Sequence, residues 1–308
     1  MTKLAWKKDK FDKRDYLHMA IPPKAIPDTI LLDKYLPSVR DQGNVGSCVG
    51  FGIGVNLTYL AKKLKVYTEW FSPTWIYNGA RFIDGSLSQD VGAYPRDALE
   101  WVRAKGCLLE HFWSYNPNRV DTTSPPSSFN SEATKHPIVS YFRVTGGVDA
   151  ICSAISQGYF VSIGTYWFDK WMNPAGGVLP SVTVDDSIAG GHETCLYGYD
   201  KIKQIFYGIN SWGTSWGNKG FYTMPFSSFS VFNRLGGYDA HYINVAWPVT
   251  VAPSKTKKVK LLTSQDNGAT WITVYEGALA ESSKIRKVKL GTSLNNGSIW
   301  TTVYEKVV

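Results

Sequence analysis

Three short runs carry the residues with chemistry in this chain of 308 residues. Gln42-Gly43-Asn44-Val45-Gly46-Ser47-Cys48 supplies a thiol and an amide. Gly190-Gly191-His192 supplies an imidazole, and Asn210-Ser211-Trp212-Gly213-Thr214-Ser215-Trp216-Gly217 a second amide. A thiol nucleophile, an imidazole base and an amide that orients the base make an acyl-transfer unit once folding joins them. In that unit Cys48 attacks, and His192 takes a proton and later gives it to the leaving amine. Asn210 holds the imidazole. Gln42 points an N–H at the developing oxyanion beside the Cys48 backbone N–H. Glycines near Cys48 and His192 leave room for a substrate backbone.

A thiol attacks as thiolate. A helix N-terminus and an imidazolium lower its pKa from about 8.5 into a range of about 3.5–7.5. The apolar positions Val49, Ile53, Leu57, Leu60 and Leu64 recur at three- and four-residue steps, which predicts a helix with Cys48 at its N-terminal edge. Gly50, Gly52 and Gly54 oppose it by up to about 1 kcal/mol each. They read as sites of close packing. The rival is a helix that starts later, with less electrostatic help for the thiol.

Pro95–Lys105 is predicted helical, with Pro at its start and Gly106 just beyond its end. Residues 116–137, rich in Pro, Ser, Thr and Asn, read as a long loop. Asp149–Gln157 reads as helix. Tyr159–Phe168, Glu193–Tyr199, Ile205–Ile209 and Gly220–Met224 read as strands. Helices early and strands late predict an α+β fold with a cleft between the parts. The expected organisation is an arm over 1–36, a catalytic domain over 37–248, a linker over 249–257 and a repeat region over 258–308.

That last region duplicates itself. Lys258–Ser264 matches Lys287–Ser293, and Trp271–Glu276 matches Trp300–Glu305. Asn267-Gly268 and Asn296-Gly297 sit between the paired runs, which predicts two β-hairpins. Their apolar positions Val259, Leu261, Trp271 and Val274 must pack on something.

The chain is 44% hydrophobic and 19% charged, which is globular rather than disordered. Its formal net charge of +8 is concentrated near the two ends and reads as a solvated basic surface, since no nucleic-acid module is visible. No apolar run is long enough to span a bilayer, and no signal peptide is evident. Cys48, Cys107, Cys152 and Cys195 lack metal-type spacing, and with Cys48 reserved three remain, which points to free thiols in a reducing compartment. No metal and no cofactor are expected. His18, His111, His136 and His241 have no catalytic setting, and Asp185-Asp186 reads as a solvated loop.

Residues 35–247 resemble a papain-family cysteine peptidase. The resemblance rests on the Gln-Gly-x-x-Gly-Ser-Cys run, on His192 followed by a strand-like stretch, and on Asn-Ser-Trp-Gly-Thr-x-Trp-Gly. His192 follows Cys48 by 144 residues, inside the family's window of about 130–150. The resemblance implies a helical part and a β-barrel-like part with a cleft between them. It implies that Trp212 shields the Asn210–His192 contact from water. Val91-Gly92-Ala93-Tyr94-Pro95 resembles the segment whose main chain pairs with substrate, so Gly92, Ala93, Gly191 and Trp212 are the expected substrate-binding residues. Trp6-Lys7-Lys8-Asp9, Arg14-Asp15-Tyr16, Tyr77–Arg81 and Arg96–Leu99 resemble the short bacterial, archaeal and viral members without a long inhibitory propeptide.

Departures from the pattern are Val45 at a disulfide position, Val49 for Trp, Ala93 for Gly, and Glu193 after the histidine. Strand alternation predicts that Glu193 points away from His192. Ser264–Trp271 resembles the Asp-box of sialidase-type propellers, a turn-stabilising device, so no sialidase activity is inferred.

The expected activity is peptide hydrolysis through a Cys48 thioester, with a protein or peptide as substrate. The alternatives are another amide or isopeptide hydrolysis or acyl transfer on the same scaffold, or a virion or surface binding protein whose repeats meet a glycan or an assembly. Nucleic acid and membrane insertion are not expected. The expected location is a reducing cytoplasm or a virion.

Overall fold

A computed structural model describes residues 3–12, 17–18, 26–247, 257–263 and 272–279. Its elements in chain order are β1 (Leu17–His18), β2 (Thr29–Leu31), α1 (Cys48–Lys63), α2 (Pro73–Ile83), α3 (Pro95–Lys105), α4 (Asn130–Ala133), β3 (Ile138–Val144), α5 (Gly147–Ser156), β4 (Val161–Phe168), β5 (Ile188–Asp200), β6 (Ile205–Ile209), β7 (Phe221–Pro225), α6 (Ser228–Arg234), β8 (Asp239–Val245), β9 (Lys257–Thr263) and β10 (Ile272–Leu279). Two compact units result, Met1–Val249 and Thr250–Val308.

In the first unit α1 is buried nearly along its whole length. Its glycines explain how. A side chain at Gly50 would press on the Pro73 carbonyl of α2, and one at Gly52 on the Glu193 carboxylate of β5. The helix gives up propensity to let two neighbours approach its backbone. Ser72 caps α2 by accepting from the Trp75 N–H at 3.1 Å, with Pro73 in the first turn. The helix α3 has the bounds its punctuation predicts, and Gly106 beyond it sits at φ +84°.

The sheet runs β1-β3-β8-β4-β5-β6-β7, with β2 added on β5. Only β1–β3 is parallel among these pairs. The sheet is mixed with helices in an α+β layout but stays open, which corrects the barrel-like expectation. The outer side of β7 is taken by the Val178–Leu179 segment, whose Leu179 N–H donates to the Thr223 carbonyl at 3.0 Å, so β7 does not close onto β1.

Two hydrophobic cores follow. One gathers α1, α2 and α3 around Phe51, Trp75 and Trp101. The other lies between the sheet, α5 and α6, around Trp167, Trp171 and Phe206. Cys48 belongs to the first, and the tryptophans around His192 belong to the second. The predicted loop over 116–137 contains the short helix α4. Among the described residues no helix is long and apolar enough to cross a membrane.

In the second unit β9 and β10 pair antiparallel, from Ile272 opposite Thr263 to Leu279 opposite Lys257. These are the arms of the first predicted hairpin. The second hairpin, both Asn-Gly turns and the Asp-box run lie outside the described residues.

Candidate active site

Cys48 is the first residue of α1, so the thiol stands at a helix N-terminus as the apolar spacing predicts. It is fully buried. The backbone N–H groups of Glu193, Ala5 and Val49 lie near its sulfur and favour the thiolate. The Glu193 amide belongs to the residue after His192 on β5. Burial nevertheless pushes the thiol up to about 12, helped by the Glu193 carboxylate and opposed by the three amides. In this closed arrangement the thiol is neutral, against the depressed value that the helix terminus alone would favour.

His192 lies within β5, paired with Thr165 of β4, and is fully buried. Its Nε2 lies 2.7 Å from Asn210 Oδ1, and the Ser211 N–H donates to the same oxygen at 2.8 Å. An oxygen that takes both contacts must be the acceptor, so Nε2 carries the hydrogen and Nδ1 keeps a lone pair. That Nδ1 has no hydrogen-bond partner. Burial lowers the imidazole to about 4, and Asn210 works the other way. The Trp212 ring lies 4.6 Å from the imidazole at 31°, and the Trp167 ring 4.9 Å away at 78°. Together they keep water from the His192–Asn210 bond.

Gln42 is buried and tied to the same corner. Its N–H donates to the Ser211 carbonyl at 2.8 Å, and its Oε1 accepts from Ser211 Oγ at 2.7 Å. The amide nitrogen donates to the Val45 carbonyl at 2.9 Å and to the Lys3 carbonyl at 3.0 Å. The folded chain thus brings Gln42, Cys48, His192 and Asn210 to one place.

Residues 3–9 lie along this place. The Trp6 N–H donates to the Gly191 carbonyl at 2.9 Å. The Lys7 N–H donates to Ala93 O at 3.0 Å, and the Ala93 N–H to Ala5 O at 3.3 Å, which makes a parallel bridge of Trp6 with Ala93. Gly92 sits at φ +81°, where a Cβ would overlap the Ala5 carbonyl. Lys3 pairs with Asp90 at 2.9 Å. The expected substrate-binding residues Gly92, Ala93 and Gly191 therefore contact the chain's own arm, while Trp212 covers the imidazole.

The sequence left open whether the arm covers the cleft or compartment alone provides control, and it gave no sign of the buried charges under the arm. Asp9 and Asp239 are buried side by side, the Asp9 N–H donating to Asp239 Oδ2 at 2.8 Å. Arg143 pairs with Asp239 Oδ1 at 2.8 Å, and His241 lies 3.6 Å from Asp9 Oδ2. Glu193 is buried, packs on Gly52 and has no hydrogen-bond partner for either oxygen. It points away from His192, as alternation predicts. His136 is a buried residue bonded to the Cys107 carbonyl, and Asp186 closes a turn with Thr183. The four cysteines are free and buried. Among the described residues no group of three or more His, Cys, Asp or Glu side chains is arranged to hold a metal ion.

The model of the family described as "Papain family cysteine protease" matches residues 28–229. The chain belongs to the papain family. As a papain-family cysteine peptidase it is 28% identical, over 71% of its length and 80% of the relative's, to an uncharacterized peptidase C1-like protein of Acanthamoeba polyphaga mimivirus. It is also 28% identical to cysteine proteinase 1 of Entamoeba histolytica, over 66% of this chain. There it spans 63% of the relative's length. Among solved structures, xylellain, a cysteine protease from Xylella fastidiosa, shares the fold with a TM-score of 0.72 at 24% identity, covering 80% of this chain and 97% of that one. Bromelain from Ananas comosus in complex with the E64 inhibitor matches with a TM-score of 0.52 at 19% identity, covering 71% of this chain and 100% of that one.

Proposed function

We propose that this papain-family peptidase hydrolyses peptide bonds through a thioester on Cys48. His192 Nδ1 removes the thiol proton, and the sulfur attacks the scissile carbonyl carbon. Gln42 Nε2 and the Cys48 N–H receive the oxyanion. The C–N bond then breaks as His192 protonates the leaving amine. Water, deprotonated by His192, hydrolyses the thioester and frees the carboxylate and the thiol. The observation that carries this reading is the bond from His192 Nε2–H to Asn210 Oδ1, which leaves Nδ1 as the only basic nitrogen of the ring.

The arm bears on how the reaction starts. It brings the Ala5 N–H, a group the sulfur cannot attack, near the thiol. With the arm seated, thiol and imidazole are both neutral and dry. Its departure admits water, lowers the thiol and raises the imidazole towards their ordinary values.

The test is mass spectrometry after exposure to an epoxysuccinyl peptide inhibitor, on the wild type and on His192→Ala. One adduct on Cys48 that requires His192 is expected. Equal labelling of several cysteines in both proteins would overturn the reading. Competing amines in the same assays separate hydrolysis from acyl transfer.

For the C-terminal duplication we propose attachment to a glycan or an assembly, supported by its repeated hairpin pattern and its lysines. Loss of binding to glycan arrays on removal of residues 258–308, with peptidase activity kept, is the expected result. The scattered cysteines support a reducing cytoplasm or a virion as the place of action.

A further inference from the structure

The loop from Gln42 to Ser47 carries the oxyanion amide at one end and leads into Cys48 at the other. All four cysteines are free, so no disulfide braces it. Its two ends are drawn together by Tyr115, whose hydroxyl donates to the Gln42 carbonyl at 2.7 Å and lies 2.6 Å from Ser47 Oγ. With the Tyr115 proton committed, Ser47 is the donor of that second contact. The middle of the loop is held by Asp90. The Gly46 N–H donates to both carboxylate oxygens at 3.1 Å. The Tyr77 O–H donates to Oδ1 at 2.7 Å, and the Tyr77 oxygen accepts from the Gly92 N–H at 3.1 Å. A continuous chain of hydrogen bonds therefore joins Gly46, just before the thiol, to Gly92, in the segment expected to receive the substrate main chain.

This tie is stiff from behind. Tyr77 lies on α2 and is buried. Arg81, one turn on, is also buried, with its guanidinium 4.2 Å from the Tyr77 ring centre. It donates to the Leu87 and Gln89 carbonyls at 2.9 Å each, which fixes the turn that delivers Asp90. Bonds to a carboxylate are about twice as strong as those between neutral groups. Lys3 of the arm takes the same carboxylate, at Oδ2. Departure of the arm removes that ion pair, while the Gly46 and Tyr77 donors belong to the catalytic domain and remain.

We infer that Tyr77 and Asp90 are positioning residues that set the nucleophile loop against the segment that receives the substrate main chain. The inference rests on the peptidase reading above. A peptide laid along Gly92 and Ala93 must bring its scissile carbon to the Cys48 sulfur and its carbonyl oxygen to the Gln42 and Cys48 N–H donors. The tie fixes the span between those two requirements. Loss of Asp90 leaves the Gly46 N–H and the Tyr77 O–H without their acceptor. The loop then shifts relative to the bound peptide. Contacts made in the transition state weaken, and ground-state binding to the segment is kept.

The experiment is steady-state kinetics on one peptide substrate, per active site titrated with an epoxysuccinyl peptide, with Trp6→Ala as the parent so that the cleft is open. Asp90→Ala should lower kcat at least tenfold and Tyr77→Phe at least fivefold, each with KM changed less than threefold. Asp90→Asn loses the Lys3 pair as Asp90→Ala does, but its Oδ1 still accepts from Gly46 and Tyr77. It should recover kcat to within threefold of the parent, which separates the tie from the hold on the arm. A peptide aldehyde, which binds as a tetrahedral adduct, should lose affinity in step with kcat. A merely structural role would lower thermal stability and leave kcat per titrated site alone. Tyr77→Phe keeps the ring, so it decides the matter even where Asp90→Ala does not fold. An unchanged kcat in Tyr77→Phe, a loss confined to KM, or an Asp90→Asn protein as slow as Asp90→Ala would overturn the inference and leave the peptidase reading standing. No cleavage by the parent together with no adduct on Cys48 would overturn the peptidase reading, and the inference with it.

Discussion

The side-chain amide of Gln42 donates to the carbonyl of Lys3 at 3.0 Å, so the donor assigned to the oxyanion is already engaged by the chain's own arm. The arm is held by backbone pairing at Ala93 and Gly191 and by the buried Trp6 ring.

Trp6→Ala should loosen this hold. Burial of a large aromatic ring is worth about 3–5 kcal/mol against alanine. Alkylation of Cys48 by iodoacetamide at pH 7 is expected to speed up at least tenfold, while His111 and the other exposed groups are untouched. An unchanged rate in a folded variant would show that Trp6 does not control access.

Gln42→Ala removes one donor to the oxyanion. A fall of about 10²–10³ in kcat with little change in KM is expected. Its Nε2 also holds Lys3, so the assay is made in the Trp6→Ala background, where acylation and not arm release limits the rate. A loss confined to KM would assign Gln42 to substrate binding instead.

Asp9 makes closure depend on protons. Burial first, and then the Asp239 charge, raise its carboxyl to about 8, against the Arg96 amide and the Arg96 and Arg143 charges. Glu193 from β5 and Asp239 and His241 from β8 also face this cluster, His241 being neutral. A released arm would ionise Asp9 near 3.9. Closure therefore takes up a proton between these values. The seated arm is favoured most below about pH 4 and loses up to about tenfold in its equilibrium per pH unit until about pH 8. The ratio of Cys48 alkylation rates, wild type over Asp9→Asn, should climb across that range. A flat ratio would sink the idea, and the ratio cancels the titration of the thiol itself.

Gly79 of α2 has no room for a side chain, since a Cβ would overlap the Trp101 ring of α3. Gly79→Ala should cost about 1–3 kcal/mol of stability by overpacking. Thermal unfolding should shift down, and kcat per folded molecule should stay the same.

Legibility followed punctuation and chemistry. The helix α3 could be read because Pro95 and Gly106 mark its ends, and β6 because Ile205–Ile209 is short and apolar. Cys48, His192 and Asn210 could be read because each sits in a run whose neighbours serve its role. The strand β8 was hidden, since Asp239 and His241 are polar residues at buried positions. The helix α2 was hidden by Gly79 and Pro73, which look like breakers until Trp101 and the Ser72 cap explain them. The seated arm left least trace. Its hold is largely through backbone amides, which any sequence supplies.

Arm and cleft are parts of one polypeptide, and this sets the kinetic order of inhibition. Occupancy of the cleft does not depend on enzyme concentration, so dilution alone should not wake the protein. A peptide arriving from solution competes with a tethered rival whose effective concentration is on the order of millimolar. Weak peptides therefore meet a closed door at any dose the solution can reach. Strong or abundant ones pass, and the arm serves as a threshold rather than a switch.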